Sequence, residues 1–121
     1  MTNSGFDRLN QTLTRLQEAQ KVGLSDSAAI VRAIATIYPP KPAGSTYHRT
    51  RKLAHGWRIR LWTWTATITN KVHYAPFVQG AGRQRVFHRA TGWKTERQIA
   101  TEAKPQVVEA FRSAYQRAIR G

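Results

Sequence analysis

Large apolar residues near the start of the chain recur at helical spacing. They follow one another at intervals of three and four positions: Phe6, Leu9, Leu13 and Leu16. This spacing places them on one face of an amphipathic helix. Ser4, followed by Asp7 three residues later, resembles a capping box at the start of such a helix. The helix is predicted to end near Gly23, a residue type that favours the position after a helix.

A second helix is predicted to begin at Ser25 or Asp26 and to end before the prolines at 39 and 40. Its apolar positions are Ala28, Ile30, Val31, Ile34 and Ile37. Residues 39–46 contain three prolines and no hydrophobic period, which predicts a surface loop. This loop separates a helical part, residues 1–38, from the rest of the chain.

From Trp57 onward, the pattern changes to the two-residue alternation of β-strands. Trp57, Ile59 and Leu61 share one phase, and the apolar residues from Trp62 to Ile68 share the other. The slip between the phases fits either a tight hairpin near residues 62–64 or a bulge in one long strand. The hairpin is the preferred interpretation. At least two of the tryptophans at 57, 62 and 64 are predicted to fill the core, because large aromatic rings on strands usually pack there.

A further strand is predicted over Gln84 to Arg89, after a hinge at residues 80–82. The C-terminal part, 91–121, is helical again, because Thr95 and Gln98 form a capping box and apolar residues follow at close to four-residue spacing. Pro105 is predicted to kink or split this helix. The sequence therefore predicts one α+β domain over residues 1–121. It has N-terminal helices, a small and mostly antiparallel sheet within the β-rich part 47–90, and a C-terminal helix packed on the sheet.

The chain has 121 residues and a net charge of +14. The excess is concentrated in the middle, since twelve basic residues and no acidic one lie between Asp26 and Glu96. Such a segment attracts polyanions or an acidic protein surface. A basic surface that only keeps the protein soluble is the alternative. The chain lacks cysteine and any apolar stretch near the roughly 18 residues of a membrane span. A soluble protein of the cytoplasm without a membrane partner is therefore expected.

The sequence shows little of the residue patterns that enzymes and metalloproteins need. The four histidines lack helical ligand spacing, and no carboxylate lies between residues 27 and 95 to assist them: His48, His55, His73 and His88. There is no G-x-S-x-G turn for a nucleophile and no glycine-rich phosphate loop. We therefore predict no catalytic residue, no metal ligand and no cofactor.

Two alternatives use the basic residues differently. A metal-free ribonuclease would need a phosphate-binding cluster of His, Tyr and Arg, and the candidates are His73, Tyr74, Arg83, Arg85 and His88. A single-strand nucleic-acid-binding module would combine basic residues with exposed aromatic rings. The alternation of Arg58 and Arg60 with Trp62 and Trp64 fits that second description.

Four stretches of the chain share a pattern with one known family. They are residues 47–57 (YHRTRKLAHGW), 68–80 (ITNKVHYAPFVQG), 84–88 (QRVFH) and 91–95 (TGWKT). This pattern resembles the tail-completion, or head-tail joining, neck proteins of siphophages. There an R-T-G-x-L-x-x-S-W element leads into a hairpin, followed by N-x-x-x-Y-A-x-[FY]-V-[EQ]-G. The resemblance covers residues 38 to 120 and is carried by Trp57, Asn70, Tyr74, Ala75, Gln79, Gly80, Gln84, His88, Gly92 and Trp93. The chain departs from the family pattern in two places: Arg51 stands where the pattern has glycine, and the hairpin after Trp57 is unusually short and has no turn glycine.

The resemblance implies a structural virion protein, not an enzyme, that forms a homo-oligomeric ring at the phage neck. Its implied partners are the connector or adaptor on one side and the tail tube or terminator on the other, and contact with packaged DNA is left open. Its implied location is the virion, and the host cytoplasm during assembly. Charged residues on loops are poor core residues, so five are expected at interfaces: Arg49, Arg51, Lys52, Arg83 and Arg85. Residues 39–46 and the loop around 80–85 are the predicted docking segments.

Several of the family-pattern residues are also expected to shape the fold. Asn70 is predicted to cap a strand-to-turn corner, and Tyr74 to pack with its hydroxyl bonded. Gly80 is predicted to permit a positive φ. Trp93 is predicted to pack the start of the last helix onto the sheet.

Overall fold

The computed structural model describes residues 4–40, 51–90 and 92–120, without the side chains of Ser4, Phe77 and Phe87. Most of the predicted proline-rich loop and Arg49 lie outside these residues. The elements in chain order are α1 (Ser4–Ala35), α2 (Lys52–His55), β1 (Trp57–Leu61), β2 (Ala66–Asn70), α3 (Ala75–Gln79), α4 (Val86–Ala90) and α5 (Glu96–Arg120). The fold is α+β, as the sequence predicts.

One long helix replaces the two helices predicted for the N-terminal part. α1 continues through Gly23 to Ala35, so the predicted end near Gly23 is wrong. The reason is the packing of α1 against α5. A Cβ atom at Gly23 would clash with the ring of Phe111. Gly23 therefore stays inside the helix because the α5 aromatic ring occupies the space that a side chain would need.

α1 and α5 lie antiparallel, and their contact is the largest between two elements. Gly23 faces Phe111, whereas Ile34 and Ala35 pack with Ile99 and Ala103. α5 remains one helix through Pro105, so the predicted split does not occur. Pro105 is exposed, and its missing N–H therefore falls on the solvent side of the helix. The packing of Ile99 and Ala103 against α1 holds the preceding turns in place.

β1 and β2 form an antiparallel hairpin in which Trp57 pairs with Asn70 and Leu61 with Ala66. The amide of Trp62 donates to the carbonyl oxygen of Thr65 at 2.7 Å and closes the turn. The hairpin interpretation is therefore confirmed. The hairpin face that carries Trp57 and Ile68 packs against the helices. Both residues pack in the cluster that also contains the buried residues of α1 and α5.

The strand predicted over Gln84 to Arg89 is wrong, because residues 86–90 form the short helix α4. The amide of Arg89 donates to the carbonyl oxygen of Arg85 at 3.1 Å, a helical bond. The Gln84 side chain, at the predicted start of the strand, donates to the carbonyl oxygens of Val78 and Trp93.

Two clusters of buried residues lie in the part of the chain that the structure describes. The first joins the two long helices to the base of the hairpin: Ile34, Ala35, Trp57, Ile99 and Ala103. The second lies among the short elements: Leu53, Val72, Ala75 and Val78. Of the three hairpin tryptophans only Trp57 is buried, whereas Trp62 is 54% exposed and Trp64 is 72% exposed. The prediction of at least two core tryptophans is therefore wrong, because Trp62 and Trp64 lie in the exposed turn of the hairpin and pack in neither cluster.

Candidate functional site

The family-pattern residues converge on the corner between β2 and the short helices. Asn70 Nδ2 donates to the carbonyl oxygen of Leu53 at 2.8 Å, and its Oδ1 accepts from the amide of Val72 at 3.0 Å. One amide group thus joins the end of β2 to α2 and fixes the turn after the strand. Ala75 is buried in the second cluster, and Tyr74 packs against that cluster. Asn70 therefore caps the corner as predicted.

Arg51 ties this corner to the end of α1. Its backbone has φ of 60° and ψ of 18°, the left-handed conformation. Its guanidinium lies 4.6 Å from the ring centroid of Tyr38 and donates to the carbonyl oxygen of Thr36 at 3.3 Å. The hydroxyl of Tyr38 accepts from the amide of Ala54 at 3.1 Å. Arg51 is exposed, yet its guanidinium already has partners within the chain.

Two glutamines hold the loops on the other side of the corner. Gln79 is 3% exposed, and its Nε2 lies 3.4 Å from the carbonyl oxygen of Ala35 at the end of α1. Gln84 Nε2 donates to the carbonyl oxygens of Val78 and Trp93 at 2.8 and 2.7 Å. These bonds position the 80–85 loop between α3 and the start of α5.

Gly80 does not have the positive φ predicted for it, since its φ is −76°. A Cβ atom at this position would lie 2.5 Å from the carbonyl oxygen of Pro76. Close approach to the preceding turn, and not backbone conformation, is thus the reason for glycine there.

Trp93 packs against the second cluster, among the short elements. The prediction that it packs on the sheet is therefore wrong. Its ring centroid lies 4.7 Å from that of Tyr38 and 6.2 Å from that of His88, and the ring packs against the second cluster. Gly92, with φ of 91°, makes the turn that directs Trp93 inward. The amide of Trp93 donates to the carbonyl oxygen of His88 at 3.0 Å and so ties this turn to α4.

A depression of about 470 Å³ lies beside this corner. Its lining includes Trp57, Asn70, Gln79, Arg83 and Glu96. The indole nitrogen of Trp57 and Oε1 of Gln79 are buried and have no hydrogen-bond partner among the described residues. Both residues line the depression, but neither of these two atoms is itself exposed. Periodicity alone gave no signal of this pair, because it depends on α3 packing beside the hairpin.

The outer face of the hairpin is basic and ends in an aromatic tip. Arg58 and Arg60 are exposed on β1, opposite Thr69 and Thr67 on β2. The guanidinium of Arg60 lies 5.4 Å from the ring centroid of Trp62. Gln20 Nε2 on α1 donates to the carbonyl oxygen of Thr63 at 3.2 Å and supports the tip from below.

The remaining predicted interface residues lie in two separate places. Lys52 is exposed at the start of α2, and Arg83 and Arg85 are exposed in the 80–85 loop. Arg83 lines the depression. The structure thus places Arg83 beside the family-pattern residues and Arg51 inside the corner that they form.

The histidines of the ribonuclease alternative make edge-to-face contacts with different rings. The ring centroids of His73 and Tyr74 are 5.8 Å apart, and those of His88 and Trp93 are 6.2 Å apart. Among the described residues, no group of three or more metal-binding side chains is brought together. No helix described here is long and apolar enough to cross a membrane.

No protein-family model, no curated protein and no solved structure matches this chain. A proposal for its function therefore rests on the motif resemblance and on the geometry of the chain itself.

Proposed function

We propose that this protein is a structural subunit of a tailed-phage virion, one of a ring of copies at the neck between connector and tail. The observation that carries the proposal is the convergence of the family-pattern residues. Asn70, Gln79 and Gln84 are separated along the chain, but their side chains bond the segments around one corner. A shared pattern of this kind, with a physical role for each member, is what a common local fold requires.

The departure from the pattern at Arg51 also supports the proposal. The family has glycine at this position, and Arg51 adopts the left-handed conformation that glycine takes without strain. The contacts of its guanidinium with Tyr38 and Thr36 offset the unfavourable backbone conformation. The hairpin begins at Trp57, the residue with which the family pattern leads into a hairpin.

A ring subunit needs two different surfaces that meet neighbouring copies, and loops that dock to other proteins. The depression with Arg83 on its lining is one candidate surface, and the basic outer face of the hairpin is another.

The proposal is tested by genetic complementation in the phage or prophage that encodes the chain. Without the gene, full heads and separate tails should accumulate in electron micrographs, and the wild-type chain should restore joined particles. The Arg83→Ala/Arg85→Ala variant should fold and fail to restore them. The control is Arg117→Ala/Arg120→Ala, which removes the same charge from exposed positions of α5. The proposal is wrong if joined virions form without the chain.

A second function is favoured by one specific observation, the exposure of Trp62 and Trp64. We propose as the alternative that the hairpin binds single-stranded nucleic acid. Exposed rings can stack on bases while Arg58 and Arg60 contact phosphates. This alternative would lose support if Trp62 and Trp64 filled the core, but both are exposed.

Fluorescence anisotropy with DNA and RNA oligonucleotides across a salt series separates the two functions. The neck protein should lose nucleic-acid binding by roughly 0.15 M salt, because a diffuse positive surface is screened there. The binding module should keep micromolar affinity. Trp62→Ala/Trp64→Ala should then weaken binding more than tenfold, since stacking contributes about 1–3 kcal/mol per base. The Arg117→Ala/Arg120→Ala variant serves again as the control for charge.

A further inference from the structure

The N-terminal end of α1 extends past the end of α5. α5 continues nine residues beyond Phe111 to Arg120, and nine residues before Gly23 is Thr14. Because the helices are antiparallel, residues 4–13 overhang α5 by about 15 Å, at 1.5 Å per residue. Every residue from Gly5 to Arg15 is exposed. We name residues 4–13 the overhang.

The overhang carries the continuation of the seam that packs α1 on α5. Positions spaced alternately by three and four residues form one line along α1: Phe6, Leu9, Leu13, Leu16, Gln20, Gly23, Ser27, Ile30 and Ile34. The far end of this line is covered within the chain, since Gly23 meets Phe111 and Ile34 packs with Ile99. At the near end Leu9 and Leu13 are 52% and 49% exposed. A strict alternation of this kind is the pattern of a seam that receives a second helix.

The charges of the overhang restrict which kind of helix can pair with it. The overhang contains one acidic and one basic residue, Asp7 and Arg8, and is therefore neutral in a chain of net charge +14. The positions that flank the seam, Gly5, Asn10 and Thr12, are uncharged. An acidic partner is attracted to the basic middle of the chain instead. Two copies of this protein can meet at the overhang without direct repulsion between flanking charges.

We infer that the overhang pairs with the overhang of a second copy, antiparallel and around a two-fold axis. In this arrangement the N-terminal turns of one α1 lie in line with the end of the partner's α5. Each overhang thereby completes the seam that the other leaves exposed. The symmetric contact is self-complementary, as a two-fold interface requires. This inference does not depend on the proposed function.

The apolar area is small, so the dimer should be weak. Leu9 and Leu13, with the neighbouring Phe6, give each copy only a few apolar side chains, far less than the roughly 1,600 Å² of a standard interface. Salt should strengthen the dimer, because it screens the repulsion between two copies of net charge +14. An association through basic residues and acidic groups would respond in the opposite direction.

Sedimentation velocity of the full chain tests the inference from about 10 µM to 1 mM, a range matched to a weak complex. The wild type should shift from monomer to dimer with concentration, and more strongly in high salt. Leu9→Gln/Leu13→Gln should raise the dissociation constant at least tenfold. Leu61→Gln, at a leucine that is 51% exposed on the hairpin, is the control and should not change it. Circular dichroism should show the same helix content in all three.

Cysteine pairs test the orientation, because the chain has no other thiol. In an equimolar mixture of Gly5→Cys and Thr12→Cys, the mixed disulfide should clearly exceed the half of all disulfides that random pairing gives. An excess of like pairs indicates parallel helices and overturns the inference. A monomer throughout the concentration range also overturns it, as does a dimer that Leu9→Gln/Leu13→Gln leaves intact or that salt dissociates.

Discussion

The two ends of the hairpin differ in how far their tryptophans are buried. Trp57, at the base, is 9% exposed and lies between the two long helices. Trp64, at the tip, is 72% exposed although it belongs to the same short hairpin. The sequence alternation around both residues is similar. The difference arises because buried residues of α1 and α5 pack around the base, whereas the tip lies on α1 through the hydrogen bond from Gln20 to the carbonyl oxygen of Thr63.

α1 shows the same contrast over a longer distance. Ile34 and Ala35 are buried by α5 and the hairpin, whereas Leu9 and Leu13 lie on the overhang. One heptad-like line runs through both parts, and only the length of α5 decides which part is covered. Apolar residues in a regular pattern thus identify a surface that needs a partner, but not whether the partner belongs to the same chain.

The contrast predicts very different costs for removing the two tryptophans. Trp57→Ala should lower the free energy of unfolding by roughly 3–5 kcal/mol, because it leaves a cavity in the cluster of Ile34, Ile99 and Ala103. Trp64→Ala should change it by less than about 0.5 kcal/mol, since its ring is exposed. Urea unfolding followed by circular dichroism measures both. Similar losses at the two positions would mean that the tip is buried as well.

Much of the fold follows from the sequence by local rules. The capping box at Thr95 and Gln98, the hairpin and the amphipathic helices are all recognisable from spacing. The continuity of α1 is not, because Gly23 fits both a helix end and a close helix contact. Only the position of Phe111 on another element decides between them.

The packed corner predicts a second and smaller loss. Asn70→Ala removes a donor to Leu53 and an acceptor for Val72 and should lower the free energy of unfolding by about 1–3 kcal/mol. Thr69→Ala, the exposed neighbour on β2, is the control and should stay within about 0.5 kcal/mol. Urea midpoints at equal slope compare them. An equal effect of the two variants would place the corner among the exposed regions.

The candidate site was predictable to the extent that its residues act locally. Asn70 caps its own turn, and that role follows from its position after a strand. The role of Arg51 does not, because the guanidinium binds Tyr38 and Thr36 at the end of a different helix. The buried atoms of Trp57 and Gln79 likewise depend on elements that meet only in the folded chain.

The helix contact at Gly23 predicts an effect opposite in sign to helix propensity. Alanine normally stabilises a helix by about 1 kcal/mol relative to glycine. At Gly23 the added methyl group meets the ring of Phe111, so overpacking should outweigh propensity and leave a net loss of roughly 1–2 kcal/mol. Gly23→Ala combined with Phe111→Leu should recover most of it. A stabilising Gly23→Ala single variant would contradict the close approach of α5.

The smallest expected effect concerns the cap at the packed end of α5. The amide of Thr95 donates to Oε1 of Gln98 at 2.7 Å, and the amide of Gln98 donates to Oγ1 of Thr95 at 3.2 Å. Thr95→Ala leaves one amide of the first turn without its acceptor and should lower the free energy of unfolding by about 1 kcal/mol. Thr101→Ala is the control on the same helix, because its hydroxyl only donates to the carbonyl oxygen of Arg97. That variant should be neutral, since the higher helix propensity of alanine offsets the loss of this hydrogen bond. If Thr95→Ala is also neutral, the first turn of α5 contributes little to the free energy of unfolding, and the packed region begins only at Ile99.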